Sequence, residues 1–142
     1  MNDVVTNDVA MNHVDLMNLS FEQAVEKLGD PAPNVFALMY ERFPDLLRYR
    51  EENPEWENYM MQEIMTNLMQ YAEDPSSARN TLRDMSAHHE LIGVPNSIFR
   101  GMYDALFDVF SSAFHGPHRE AMVSAWRESI SGIGGCIVGV NG

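Results

Sequence analysis

The sequence predicts an all-α single domain of six or seven helices, and three observations carry that prediction. Apolar residues recur at spacings of three and four along most of the chain, which puts them on one side of a helix. Proline, glycine and Asn/Asp clusters punctuate these stretches and mark their ends. The chain has 142 residues and a single cysteine, Cys136. That length fits one domain of roughly 100–150 residues, large enough to fold on an apolar core without disulfides or a Cys-based zinc site. No hairpin signal, internal repeat or low-complexity block competes with the helical reading.

Residues 1–19 mix Asn, Asp, Val and Met without a clear period and read as a flexible leader. Ser20-Phe21-Glu22-Gln23 has the form of a capping box and opens a short helix to about Leu28. Gly29-Asp30-Pro31-Ala32-Pro33 breaks it, and Asn34 caps a second helix that carries Val35, Phe36, Met39 and Phe43 up to Pro44. A polar corner from Tyr49 to Pro54 leads into a helix from about Glu55 to Tyr71. Its two neighbouring stripes, Met60-Ile64-Leu68 and Met61-Met65-Met69, form a wide apolar face. Asp74-Pro75 starts the next helix, which runs to about Leu91 before Gly93 and Pro95. A helix from near Ser97 places Phe99, Met102, Leu106 and Phe110 on one face. After Gly116-Pro117, the final helix does the same with Met122, Trp126, Ile130 and Ile133. The domain therefore spans residues 20–134, followed by a Gly-rich tail over 135–142.

Charge narrows the partners. The chain holds 21 acidic and nine basic residues, a net charge of −12, and Lys27 is the single lysine. Phosphate backbones and anionic membranes are bound by basic faces that release counterions, so neither nucleic acid nor a membrane surface is expected as a partner. No apolar run approaches the roughly 18 residues of a membrane span, and MNDVVTNDVAMNHVD has no basic-then-apolar secretory pattern. A cytoplasmic protein is expected.

Chemistry-bearing residues are few. Cys136 lies far from every patterned histidine, and neither a phosphate loop nor a HExxH motif is present. His13, His115 and His118 fall in the leader or at a helix corner. His89 is different, because it shares a face with Leu82, Met85 and Ile92, and that face is apolar; His88 is turned about 100° away. A histidine there either satisfies its ring nitrogens within the core or serves as a ligand to a metal or cofactor.

His89-Glu90-Leu91-Ile92-Gly93-Val94-Pro95, followed by Phe99, resembles the proximal region of a globin. Phe36-Ala37-Leu38-Met39-Tyr40-Glu41-Arg42-Phe43-Pro44 resembles the second globin helix running into its Pro-containing turn. Ala125-Trp126 resembles the last helix of bacterial single-domain and flavohaemoglobin-type globins, and the likeness covers residues 20 to 133. It implies a globin-like fold around haem b (iron protoporphyrin IX), with His89 as the axial iron ligand. Leu82, Met85, Val94, Phe99 and Met102 would line the proximal side, and the Met stripes with Met60, Met61 and Ile64 the distal wall.

The distal side departs from the family pattern. The position that often holds a distal His or Gln falls on Met60, or on Glu57 in a shifted alignment. The second-helix position that is often tyrosine falls on Phe36, and the near-invariant corner phenylalanine falls on Arg50 or, one residue earlier, Tyr49. Bound dioxygen is held by a hydrogen-bond donor, and Trp56, Tyr49 or Arg50 supplies one only by folding inward. The expected function is reversible binding of a diatomic gas (oxygen, nitric oxide or carbon monoxide) rather than dedicated catalysis. Peroxidase-like or nitric-oxide-consuming chemistry helped by Glu57 and an external reductase is one alternative, and a haem-free interaction or sensor protein is the other. A homodimer is compatible with the Met-rich faces and apolar tail.

Overall fold

Asn12 and Asp15 set the first helix. The Asn12 Oδ1 accepts the Asp15 N–H at 2.9 Å, and the Asp15 carboxylate accepts the Asn12 N–H at 3.4 Å, a reciprocal capping box. In this computed structural model, which describes residues 11–91 and 95–137, α1 therefore spans His13–Leu28. It begins seven residues before the Ser20 start expected from the sequence, so residues 13–19 are helix rather than leader. Ser20 and Gln23 sit inside that helix and are buried. Gly29 ends it at φ 72°, a left-handed conformation that a side chain disfavours.

Helix α2 spans Ala32–Arg42 and starts ahead of Asn34 because the Asp30 carboxylate accepts the Ala32 N–H at 3.0 Å. A 3-10 turn, Pro44–Leu46, leads directly into α3, Leu47–Glu52, where the sequence suggested only a polar corner. Next come α4, Trp56–Glu73, and α5, Pro75–Leu91, followed by α6, Asn96–Ser111, and α7, Arg119–Cys136. Seven α-helices and no strand are present among the described residues, within the expected six or seven. No helix among them is long and apolar enough to cross a membrane.

Helix α1 packs on α7, α2 on α6, and α4 on α5, while α6 and α7 contact each other. Their buried faces meet around Trp126, Tyr103, Phe36, Phe99 and Phe110. Helix α7 runs through Gly132 and past the expected domain edge, and Cys136 and Ile137 are buried. A Cβ at Gly132 would lie 1.8 Å from the Tyr71 hydroxyl, so α4 and α7 approach this closely only because the residue is glycine. The leader before residue 11, the segment 92–94 and the tail beyond 137 lie outside the described residues.

Candidate functional site

The apolar stripe of α5 turns its last member inward. His89 is 8% exposed, and its ring lies 4.5 Å from that of Phe99 on α6. His88, one residue earlier, is exposed, as helix geometry requires of a neighbour turned about 100° away. His89 borders an apolar cavity of about 160 Å³. Five elements build the rest of the wall: Met39 from α2, Leu46 from the 3-10 turn, Tyr49 from α3, Trp56 and Met60 from α4, and Ile98, Phe99 and Met102 from α6.

Beside this cavity the His89 imidazole approaches a half-buried carboxylate, Glu63, without a hydrogen bond between them. The His89 Nε2 lies 3.8 Å from Glu63 Oε1, beyond hydrogen-bond reach, and neither Glu63 Oε1 nor His89 Nδ1 has a hydrogen-bond partner. Burial pushes the His89 ring below its ordinary pKa. The Glu63 carboxylate and the Met85 carbonyl one turn back oppose the shift, and neighbouring His88 adds to it. The site thus presents a neutral imidazole, the form in which histidine binds a metal. Beneath it, Asn67 is buried and donates to the Tyr103 hydroxyl at 3.0 Å and to the Met85 sulfur at 3.3 Å.

Of the residues singled out from the sequence, His89, Tyr49, Trp56, Met60, Phe99 and Met102 are brought together at the cavity. Phe36, Ile64 and Leu82 are fully buried in the surrounding core, and Met61 and Met85 are partly buried against it. Tyr49, rather than Arg50, faces the cavity, packing on Trp56 at 5.7 Å. Arg50 and Glu57 instead line an outer groove with Tyr40, whose hydroxyl donates to the Glu57 carboxylate. Val94 lies outside the described residues. The sequence reading missed Met39, Leu46, Ile98 and Glu63. Met39 and Glu63 were within reach, since each lies three residues after a singled-out position on the same helix (Phe36 and Met60).

No family model matches this chain, and no curated protein matches it.

Proposed function

We propose that this chain is a globin-like haem protein that binds a diatomic gas reversibly at iron held by His89. One observation carries the reading: a histidine whose protonation is disfavoured by burial, at the end of a helix and with its Nε2 beyond hydrogen-bond reach of Glu63, borders a cavity lined otherwise by apolar and aromatic side chains. A buried imidazole nitrogen without a hydrogen bond costs free energy, and ligation through Nε2 is one way to satisfy that nitrogen. Phe99 packs against the ring at 4.5 Å, tilted by 47°. Met39, Tyr49, Trp56 and Met60 form the part of the wall contributed by α2, α3 and α4. Iron in haem b would supply reversible coordination of oxygen, nitric oxide or carbon monoxide.

The residues fit such a group in kind, with an apolar lining and one nitrogen donor. Glu63 has to leave the His89 Nε2 for that nitrogen to coordinate, and the cavity of about 160 Å³ is smaller than the roughly 300–1,000 Å³ of ordinary small-molecule sites. The small volume favours a second reading, a helical protein that works without haem in interaction or sensing. Titration with haemin separates them. The first reading expects a red complex with a Soret band in the wild-type protein that is lost in His89→Ala. Refusal of haemin leaves the second.

The cavity wall opposite His89 is poor in donors. Trp56 Nε1 is buried without a partner and lies against the Tyr40 hydroxyl, on the outer side. Weak retention of oxygen with firm carbon monoxide binding is therefore expected. A slow oxygen off-rate with a large heavy-water isotope effect would overturn the apolar-wall reading.

A further inference from the structure

The cavity wall is joined to the surface by aromatic contacts. Trp56 lines the cavity, and its indole lies 6.4 Å, centroid to centroid, from the ring of Tyr40. The buried Trp56 N–H lies against the Tyr40 oxygen without a hydrogen bond of good geometry. The Tyr40 hydroxyl donates to Glu57, and Arg50 stands beside both, its guanidinium 3.9 Å from the carboxylate and 5.9 Å from the ring centroid of Tyr40. On the outer side, a groove of about 210 Å³ is lined by Tyr40, Glu57, Arg50, Pro33 and Ala37.

We propose that Trp56 and Tyr40 form a one-electron relay between the cavity and this outer groove, with Glu57 as the proton acceptor that makes Tyr40 oxidisable and a small phenolic reductant as the donor taken up in the groove. The proposal rests on the cavity holding a redox-active group, as proposed above, with a hydroperoxide as the oxidant. In the central step, one electron passes from Tyr40 to an oxidised Trp56 radical cation while the Tyr40 hydroxyl proton moves to the Glu57 carboxylate. The products are neutral Trp56, a neutral tyrosyl radical and a protonated Glu57. The phenol then returns a hydrogen atom to Tyr40, and Glu57 releases its proton. Two passages reduce one hydroperoxide to an alcohol and water and convert two phenols to phenoxyl radicals.

Geometry favours this pair over the other aromatics. An isolated phenol loses its proton on oxidation and needs a base at hydrogen-bond distance, which Tyr40 has in Glu57. Tyr49 also packs on Trp56, at 5.7 Å, but among the described residues its hydroxyl meets only the Arg48 guanidinium, at 3.3 Å, a donor that accepts no proton. Burial and the Glu57 carboxylate hold the Tyr40 proton on before oxidation, so electron and proton leave together.

Pulse radiolysis of the haem-free protein tests the relay. Azidyl radicals oxidise accessible tryptophan; Trp126 is fully buried, whereas Trp56 is partly exposed. The expected result is first-order decay of the tryptophanyl absorbance into tyrosyl absorbance, independent of protein concentration. It should vanish in Trp56→Phe and Tyr40→Phe and slow about 100-fold in Glu57→Gln, which cannot take the proton. Deuterated solvent should slow it in the wild-type protein, an arm that needs no substitution if a variant fails to fold by circular dichroism. Transfer at the wild-type rate in Tyr40→Phe or in Glu57→Gln, or loss of transfer in Tyr49→Phe instead, overturns the relay, as does the absence of an isotope effect. Because no haem enters this measurement, failure to take up haemin defeats the proposed gas-binding function and leaves the relay to be decided by the radical transfer itself.

Discussion

Trp126 shows how a single side chain ties the first and last helices together. Its indole is fully buried and packs edge-on against Phe21 of α1 at 5.9 Å and at a tilt against Phe110 of α6 at 5.3 Å. Its N–H donates to the Ser20 hydroxyl at 2.8 Å, and that hydroxyl donates in turn to the Met17 carbonyl at 2.6 Å. A buried indole N–H needs such a partner, so the mid-helix serine, apparently a cap in the sequence, is a tertiary contact. Trp126→Ala is expected to destabilise by about 3–5 kcal/mol, as aromatic-to-alanine truncations in a core do. Ser20→Ala is expected to cost about 1–3 kcal/mol, because it leaves the indole N–H unsatisfied while removing little volume. Urea denaturation of both variants checks the ordering, and a Ser20→Ala loss equal to that of Trp126→Ala would show that the hydrogen bond, not packing, dominates.

At the scale of the element, a local cap starts one helix and a long-range clasp holds the connection before another, and they differ in how visible they are. The Asn12–Asp15 box is a polar pair in a polar stretch, and only the burial of Met17, Ser20 and Ala24 on one face shows that a helix follows. Asn12→Ala is expected to lower stability by about 1 kcal/mol and to fray the first turn of α1, read as earlier hydrogen exchange of the amides there. Further along, Gln23 clasps the turn before α7. Its amide nitrogen donates to the His115 carbonyl at 3.1 Å, and its oxygen accepts the His115 N–H at 2.9 Å. Gln23→Leu keeps the volume but removes both bonds. It is expected to cost about 1–3 kcal/mol, with two backbone groups of the α6–α7 connection left to find water. A loss within experimental error would show the connection to be held by packing alone.

Over the whole molecule, pH acts through the buried histidine. His89 has its pKa lowered below the ordinary 6.5 in the folded state, so below that pH the unfolded chain binds more protons than the folded one. The stabilisation from keeping the ring neutral is complete above pH 6.5 and is lost as pH falls from there through the depressed folded value. The wild-type protein is therefore expected to lose more stability than His89→Gln between pH 7.5 and pH 5.5, as read from urea midpoints. A steeper loss in His89→Gln would show that the Glu63 carboxylate outweighs burial at this ring.

The helical class, most element ends and the inward face of α5 carrying His89 were legible in the sequence, because helix periodicity and Gly/Pro punctuation act within a few residues. The gathering of Met60, Phe99 and Met102 around His89 was expected from the resemblance to globins, not from the faces of single helices, and Trp56 was expected there only by folding inward. Which of Tyr49 and Arg50 faces the cavity, the turn of Glu57 away from it toward Tyr40, and the approach of Glu63 to His89 depended on how α3, α4 and α5 are set against one another. A shift of one residue turns a side chain by about 100° on a helix, and no local pattern fixes that register between elements. Packing fixes it, because interior side chains must fill the space between helices at near-crystalline density, and that condition exists only once the whole chain has come together.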